Sequence, residues 1–265
     1  MNFLKKNKQI RVIIIGKNSF IAKNYFKYSK LKKKITLISH KEINKINFEK
    51  YTHLINFSYD PKIKNRNYYK TNLIDKKICS LIKNNKLIYI YPSSRAVFKI
   101  NKTRKFYGKN KLIIERLIKK SRNNRYLILR ISNLLEFNHE DSNLFISQLL
   151  NSLKKFNLIK LDLDKKTYKD FIPLYFFSRC LDSLINMNIT GIFNVSSGKK
   201  IKVYELAKVV VNSFGKGKIV FLNKLYKDSF VLNNSKLKKT VKIHISKKEI
   251  LDYCHLLGKK LKKYA

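Results

Sequence analysis

Short, unbroken apolar runs recur along the first half of the chain, separated by segments whose apolar residues fall at helical spacing. Ile10 to Ile15 (IRVIII) is a continuous, largely β-branched run that predicts a strand buried on both faces of a parallel sheet. Gly16 ends it. In GKNSFIAKNYFKYSK, which follows, Phe20, Ile21, Tyr25 and Phe26 lie at helical intervals, so the order is strand, glycine turn, helix. Ile35 to Ser39 (ITLIS), His53 to Phe57 (HLINF) and Lys86 to Tyr91 (KLIYIY) predict three more strands, with a helical pattern between Tyr68 and Leu81. A helix from about Tyr107 to Lys120 and a strand at Tyr126 to Ile131 (YLILRI) continue the alternation. Strands alternating with helices imply right-handed crossovers, and therefore an α/β fold with a Rossmann-type, doubly wound parallel sheet.

After Asn133 the alternation loosens. Helices are expected near Asn143 to Lys154, Leu174 to Met187 and Val203 to Phe214, with a short strand at Leu158 to Leu161. No repeat or linker interrupts this part, so it reads as a small C-terminal lobe interleaved with the sheet.

Composition supports a folded chain: 44% of the 265 residues are hydrophobic and 12% aromatic, more apolar material than disordered segments carry. No apolar run reaches the roughly 18 residues needed to cross a bilayer, and no signal peptide is visible, so a soluble cytoplasmic protein is expected. Cys79, Cys180 and Cys254 are odd in number and far apart, which gives neither a disulfide framework nor paired metal-ligand spacing. Asp162 and Asp164 read as a solvated strand end, the five histidines are scattered, and no metal is expected. The net charge of +44, from 60 Lys and Arg against 16 Asp and Glu, favours weak, salt-sensitive binding of polyanions. Lysine is nevertheless spread from end to end alongside abundant asparagine and isoleucine, the pattern of an AT-rich genome, so the charge is read as a property rather than the function.

In a doubly wound sheet, ligands bind beyond the carboxyl ends of the strands. A strand running into a glycine and then a helix presents free backbone N–H groups at the positive end of the helix dipole, a seat for pyrophosphate. The three positions of the dinucleotide fingerprint are Gly16, Ser19 and Ala22. Ala22 is an accepted replacement at the helix-packing position, and the Ser19 hydroxyl can donate to phosphate. Strand two leads into Ser39, His40 and Lys41, donors and a cation instead of the acid that binds the ribose of NAD, so NADP is favoured over NAD.

Tyr107 and Lys111, four apart at the start of a helix, lie on one face. A neighbouring ammonium favours the phenolate, and lowering a phenol by three pH units takes roughly 4 kcal/mol of differential interaction. Ser94, just past strand four, can hydrogen-bond the substrate oxygen that such a tyrosine protonates. Sixteen tyrosines among many lysines produce this spacing by chance. What singles it out is order: phosphate turn after strand one, serine after strand four, tyrosine and lysine opening the next helix.

In that order the chain resembles the extended short-chain dehydrogenase/reductases, which include the NAD-dependent epimerase/dehydratases of sugar nucleotides. GKNSFIA resembles their GATGFIG turn, PSSRAVF their SSxxVY strand, YGKNKLIIE their YGxxKLxxE helix, LRISNLLE their LRxxNVYG, KDFIPLYFFSRCLDSLI their RDFIHVDDVARAI, and GIFNVSSGKKIKVYELA their GxxNVGSGxxxSxxELA. The dTDP-4-dehydrorhamnose reductase branch looks most similar. Phe176 and Phe177 stand where an aspartate pair is usual, and the loop KINKTRKF before Tyr107 is basic where relatives have prolines and acids.

The resemblance implies a dinucleotide-binding core over residues 1–135, and a segment over 136–265 that completes the sheet and forms a reduced substrate lobe. It assigns Ser94, Tyr107 and Lys111 to catalysis. Cofactor binding falls to Gly16, Ser19, Phe20, Ile21, Ala22, Ser39, His40, Lys41, Phe57, Ser58, Asn72, Tyr107 and Lys111. Ser94 and Asn133 face the substrate, although Asn133 can equally be a turn cap. The implied activity is NAD(P)-dependent reduction or epimerisation of a nucleotide-activated sugar in cell-surface polysaccharide synthesis, by a protein that can form a homodimer. The competing class is a binding module for RNA or a protein partner, with the nucleotide as a structural or sensing ligand.

Overall fold

The computed structural model describes residues 9–71, 74–98, 105–137, 144–223, 225 and 228–264. The chain divides into two compact units, residues 1–130 with 178–193 and residues 131–177 with 194–265. In chain order the strands are β1 (Val12–Ile15), β2 (Ile35–Ile38), β3 (His53–Asn56), β4 (Ile88–Ser94), β5 (Tyr126–Ile131), β6 (Asn133–Leu135), β7 (Leu158–Leu161), β8 (Tyr168–Lys169), β9 (Phe171–Pro173), β10 (Gly191–Val195), β11 (Ile201–Lys202) and β12 (Lys218–Phe221). The helices are α1 (Phe20–Tyr28), α2 (Tyr68–Thr71), α3 (Ile74–Leu81), α4 (Lys105–Arg122), α5 (Phe145–Phe156), α6 (Leu174–Asn186), α7 (Val203–Phe214), α8 (Ser235–Val241) and α9 (Lys247–Lys263).

Six parallel strands form the central sheet in the order β10-β5-β4-β3-β1-β2. The β-branched run of β1 is buried on both faces because β1 lies inside the sheet, with Ile15 opposite Ile38 of β2 on one side and Asn56 of β3 on the other. The winding direction reverses between β1 and β3, which sets a crevice at their carboxyl ends. Strand four runs further than its apolar pattern indicates, through Pro92 and Ser93 to Ser94. Ile13, Ile15, Leu54, Ile78, Ile82, Tyr89, Ile118 and Ile128 make up much of the core of this unit.

Buried polar side chains fix the helix ends of the first unit. Asp182 accepts hydrogen bonds from the hydroxyls of Tyr25 and Ser29 and from the Lys30 N–H, all at 2.7 Å, which closes the end of α1. Arg122 is 2% exposed and donates to four carbonyls around the end of α3: Ile82, Lys83, Asn85 at 2.8 Å and Leu87 at 2.7 Å. A buried guanidinium needs that many acceptors, and frayed carbonyls at a helix end need donors, so the two requirements meet.

The second unit combines α5, α7, α8 and α9 with three two-stranded pairs, β6 with β9, β7 with β12, and β8 with β11. Asp170, between β8 and β9, accepts from the N–H and O–H of Ser197 and the N–H of Gly198 at 2.8–3.0 Å. Asp162 and Asp164 lie beyond the end of β7, and Asp164 accepts from the Lys166 N–H at 2.6 Å, closing a turn. The lysine-rich end of α9 is helical as far as Lys263 and buries Leu257, Gly258 and Leu261. Gly258 lets α9 approach α7: a Cβ there would stand 2.5 Å from the Val210 carbonyl oxygen. Among the described residues, no helix is long and apolar enough to cross a membrane.

Candidate active site

The turn after β1 is shaped by what crosses it. Gly16 has φ +98°, and a Cβ on it would lie 2.6 Å from the Ser58 backbone nitrogen. Only glycine accepts both the left-handed backbone and the passage of the chain leaving β3. The N–H groups of Gly16 and Lys17 both donate to the Ile38 carbonyl, at 2.9 and 3.0 Å, which ties the turn to the end of β2. Ser19 is the N-cap of α1, and its Oγ accepts from the Ala22 N–H at 3.1 Å. The cap occupies one of the N–H groups an anion would otherwise use, and it leaves the Ser19 hydroxyl proton able to donate. Ala22 is fully buried, while Phe20 and Ile21 are partly exposed.

At the end of β2, Ser39 caps a 3₁₀ turn over His40–Lys45. Its Oγ accepts from the Lys41 N–H at 3.3 Å, and its own N–H donates to Glu42 Oε2 at 2.6 Å. Glu42 also faces Lys17 Nζ at 3.5 Å. The Ser39 N–H first, and Lys17 after it, hold the Glu42 carboxyl below its usual range. His40 and Lys41 are exposed beside this pair. The sequence pattern points to the donors here and gives no sign of the carboxylate that folds back among them.

The end of β3 is held by a buried chain of hydrogen bonds. The Ser58 N–H and O–H both donate to Asn56 Oδ1, Asn56 Nδ2 donates to Asp75 Oδ1 at 2.9 Å, and the Tyr89 hydroxyl donates to the same oxygen at 2.6 Å. Phe57 is buried and turns its ring against Tyr25, 5.8 Å between centroids. Asn72 lies outside the described residues, as does most of the basic loop before Tyr107.

Ser94, Tyr107 and Lys111 belong to one arrangement of β4 and α4. Ser94 ends β4, and its Oγ accepts from the Ala96 N–H at 3.2 Å, an acceptor role that keeps the hydroxyl proton for donation. Three residues on one face of α4 meet this strand end. Gly108 approaches so closely that a Cβ would stand 2.3 Å from the Ala96 carbonyl oxygen. Lys111 Nζ donates to the Pro92 carbonyl at 2.8 Å. Glu115 accepts from Ser93 Oγ at 2.5 Å. Tyr107 is partly buried one turn before Lys111, whose Nζ lies 6.0 Å from its ring centroid and 4.6 Å from that of Tyr91. Burial brings the Lys111 ammonium down to about 8, against the opposing pull of Asp75 and Glu115. The Tyr91 hydroxyl is buried with no hydrogen-bond partner among the described residues, and burial pushes its titration well up.

Further along α4, Asn110 Nδ2 donates to the carbonyls of Ile63 and Asn65, both at 2.8 Å, and so clamps the loop after β3 to the helix. In the second unit, Asn133 starts β6 and donates through both its N–H and its Nδ2 to the Asp170 carbonyl, at 3.2 and 2.8 Å. That side chain ties the start of β6 to the residue before β9. Among the described residues, no group of three or more His, Cys, Asp or Glu side chains can hold a metal ion.

No family model and no curated protein matches the sequence. Solved structures match along nearly its whole length. The UDP-N-acetylglucosamine 4-epimerase of Methanobrevibacter ruminantium M1, in complex with UDP-N-acetylmuramic acid, superposes with a TM-score of 0.79 at 15% identity, covering 97% of this chain and 100% of that one. The dTDP-glucose 4,6-dehydratase of Bacillus anthracis, in complex with NAD, gives 0.77 at 14% identity over 96% and 98% of the chains. RMD from Pseudomonas aeruginosa, complexed with NADPH, gives 0.75 at 16% identity over 97% and 99%. The chain shares the fold of these structures, a Rossmann-type, doubly wound parallel sheet. On this fold, Gly16, Ser58, Ser94, Tyr107 and Lys111 all lie at or beyond the carboxyl ends of the parallel strands, the edge where doubly wound sheets bind ligands.

Proposed function

We propose that the chain is an NAD(P)-dependent oxidoreductase or epimerase acting on a nucleotide-activated sugar, with Ser94, Tyr107 and Lys111 as its acid–base site. The observation that carries this reading is the packing of α4 on β4. Gly108 and Lys111 touch the backbone on either side of Ser94, at Ala96 and Pro92, so serine, tyrosine and lysine share one rigid frame. The solved structures of this fold bind NAD, NADPH and a UDP-linked sugar, which supports the same class of ligands here.

The residues present fit a nicotinamide dinucleotide. The Gly16 turn and the Ser19 hydroxyl would meet the pyrophosphate, and Ser39, His40, Lys41 and Lys17 would meet the adenosine ribose, where two lysines against the single Glu42 carboxylate leave a net positive charge that favours the 2′-phosphate of NADP. Bound there, the cofactor supplies hydride transfer to or from a sugar carbon. The chain moves the proton. In reduction, the Tyr107 hydroxyl gives its proton to the oxygen of the sugar carbonyl while Ser94 donates a hydrogen bond to that oxygen; in oxidation, the Tyr107 phenolate takes the proton from the sugar hydroxyl. The Lys111 ammonium stabilises the phenolate in both directions.

Titration of the purified protein with NADPH and NADH, followed by a screen of nucleotide sugars at the nicotinamide absorbance, tests the proposal. It predicts binding of both cofactors, NADPH the tighter, and absorbance change with at least one sugar nucleotide. Binding of neither cofactor, with RNA bound at physiological salt, would establish the binding-module reading instead.

A further inference from the structure

Glu115, which is buried, and Arg130, which is partly exposed, form an ion pair outside the groups that transfer hydride and proton. Glu115 is 2% exposed. Arg130 grips its carboxylate with Nη2 at 2.6 Å from Oε2 and Nε at 3.1 Å from Oε1. Each member of the pair also holds one side of Ser94. Glu115 Oε1 accepts the hydroxyl of Ser93, the residue immediately before it, and Ser93 is itself only 4% exposed. The Arg130 guanidinium stacks on Phe98, 4.8 Å from its centroid, at the end of the turn immediately after it. Charge-assisted, forked bonds of this kind restrict geometry more than single neutral ones.

We propose that the Glu115–Arg130 pair is a positioning device: through Ser93 and Phe98 it fixes the strand end carrying Ser94 against the helix carrying Tyr107 and Lys111, and its carboxylate faces the Lys111 ammonium. This rests on the acid–base reading of those three residues. The other titratable groups facing Lys111 are Tyr107 from its own helix, Tyr91 from β4 and Asp75 from α3, with Tyr68 beyond Tyr91. Removing the Glu115 charge while keeping its shape therefore lowers the pH at which Lys111 gives up its proton, because one of two favourable anions is lost.

The test uses the full chain as wild type, Glu115→Gln, Ser93→Ala and Tyr107→Phe. Lysine side-chain NMR, with Lys111 assigned through Lys111→Arg, reads the Lys111 titration without any substrate. The midpoint is expected to move to lower pH in Glu115→Gln and to stay in place in Ser93→Ala. With the nucleotide sugar found by the screen, kcat is expected to fall about tenfold in both variants with KM within about threefold, and the alkaline limb of kcat to move down only in Glu115→Gln. An unmoved Lys111 midpoint in Glu115→Gln, or unchanged kcat in Ser93→Ala should Glu115→Gln not fold, overturns the inference. Full turnover by Tyr107→Phe instead overturns the reading of the site itself.

Discussion

Gly108 touches Ala96 backbone to backbone: a Cβ on Gly108 would lie 2.3 Å from the Ala96 carbonyl oxygen and 3.0 Å from its carbonyl carbon. This contact sets the height of α4 over the turn that follows Ser94. Gly108→Ala must therefore move the helix or the turn, since the obstacle is backbone. We expect a cost of about 1–3 kcal/mol in thermal or denaturant unfolding, and a loss of about 100-fold in kcat through displacement of Tyr107 from Ser94. Full turnover in a folded Gly108→Ala protein would show that the two elements need no fixed spacing.

Lys111 separates activity from stability. Its folded-state value of about 8 lies below the unfolded 10.5, so the unfolded chain holds more protons between those limits. Its contribution to stability accordingly rises as pH rises from about 8 towards 10.5, and the ammonium is a burden to the fold at neutral pH. Lys111→Met is expected to unfold at the same or higher temperature than wild type at pH 7, while losing about 100-fold or more in turnover. In wild type, turnover in the reductive direction should decline above about pH 8 as the ammonium is lost.

Gly16 is expected to tolerate no side chain. Its φ is +98° and the Ser58 backbone nitrogen lies 2.6 Å from where a Cβ would stand, so Gly16→Ala strains the turn and pushes the ends of β1 and β3 apart. The expected outcome is a dissociation constant for NADPH raised about tenfold or more, together with a lower unfolding temperature. Calorimetric titration alongside a thermal melt measures both.

His53 makes the fold acid-sensitive. It is 1% exposed on β3, its Nε2 has no partner among the described residues, and burial lowers its titration from 6.5 to about 4. The unfolded chain takes up this proton as pH falls through 6.5 while the folded chain resists until about 4, so stability falls across that window, by about 3 kcal/mol in all. His53→Leu is expected to lose that part of the pH dependence between 6.5 and 4 in denaturant unfolding. An identical pH profile for wild type and variant would contradict it.

The inner strands of the sheet are legible in the sequence because burial on both faces leaves unbroken runs such as VIII in β1 and IYIY in β4. Gly16 and the serine, tyrosine and lysine are legible through their order relative to those runs. The supports are not. Asp182 closes a helix that ends at Tyr28, and Arg122 caps carbonyls of Ile82 to Leu87, contacts whose partners are set by tertiary register rather than by local pattern. Glu115 and Arg130 are visible only as letters of two motifs, and nothing in either stretch says that they meet. Glu42 reads as part of a polar segment after β2, yet its carboxylate turns back to Ser39 and Lys17, which alters the charge where the ribose would lie.

The central claim, proton transfer by Tyr107 within a nicotinamide-dependent site, is tested most directly by comparing wild type and Tyr107→Phe on the nucleotide sugar that the screen identifies, each saturated with cofactor. The variant keeps the ring and removes only the hydroxyl. Cofactor affinity is expected to be unchanged and kcat to fall about 100-fold or more. Turnover by Tyr107→Phe at the wild-type rate would contradict it.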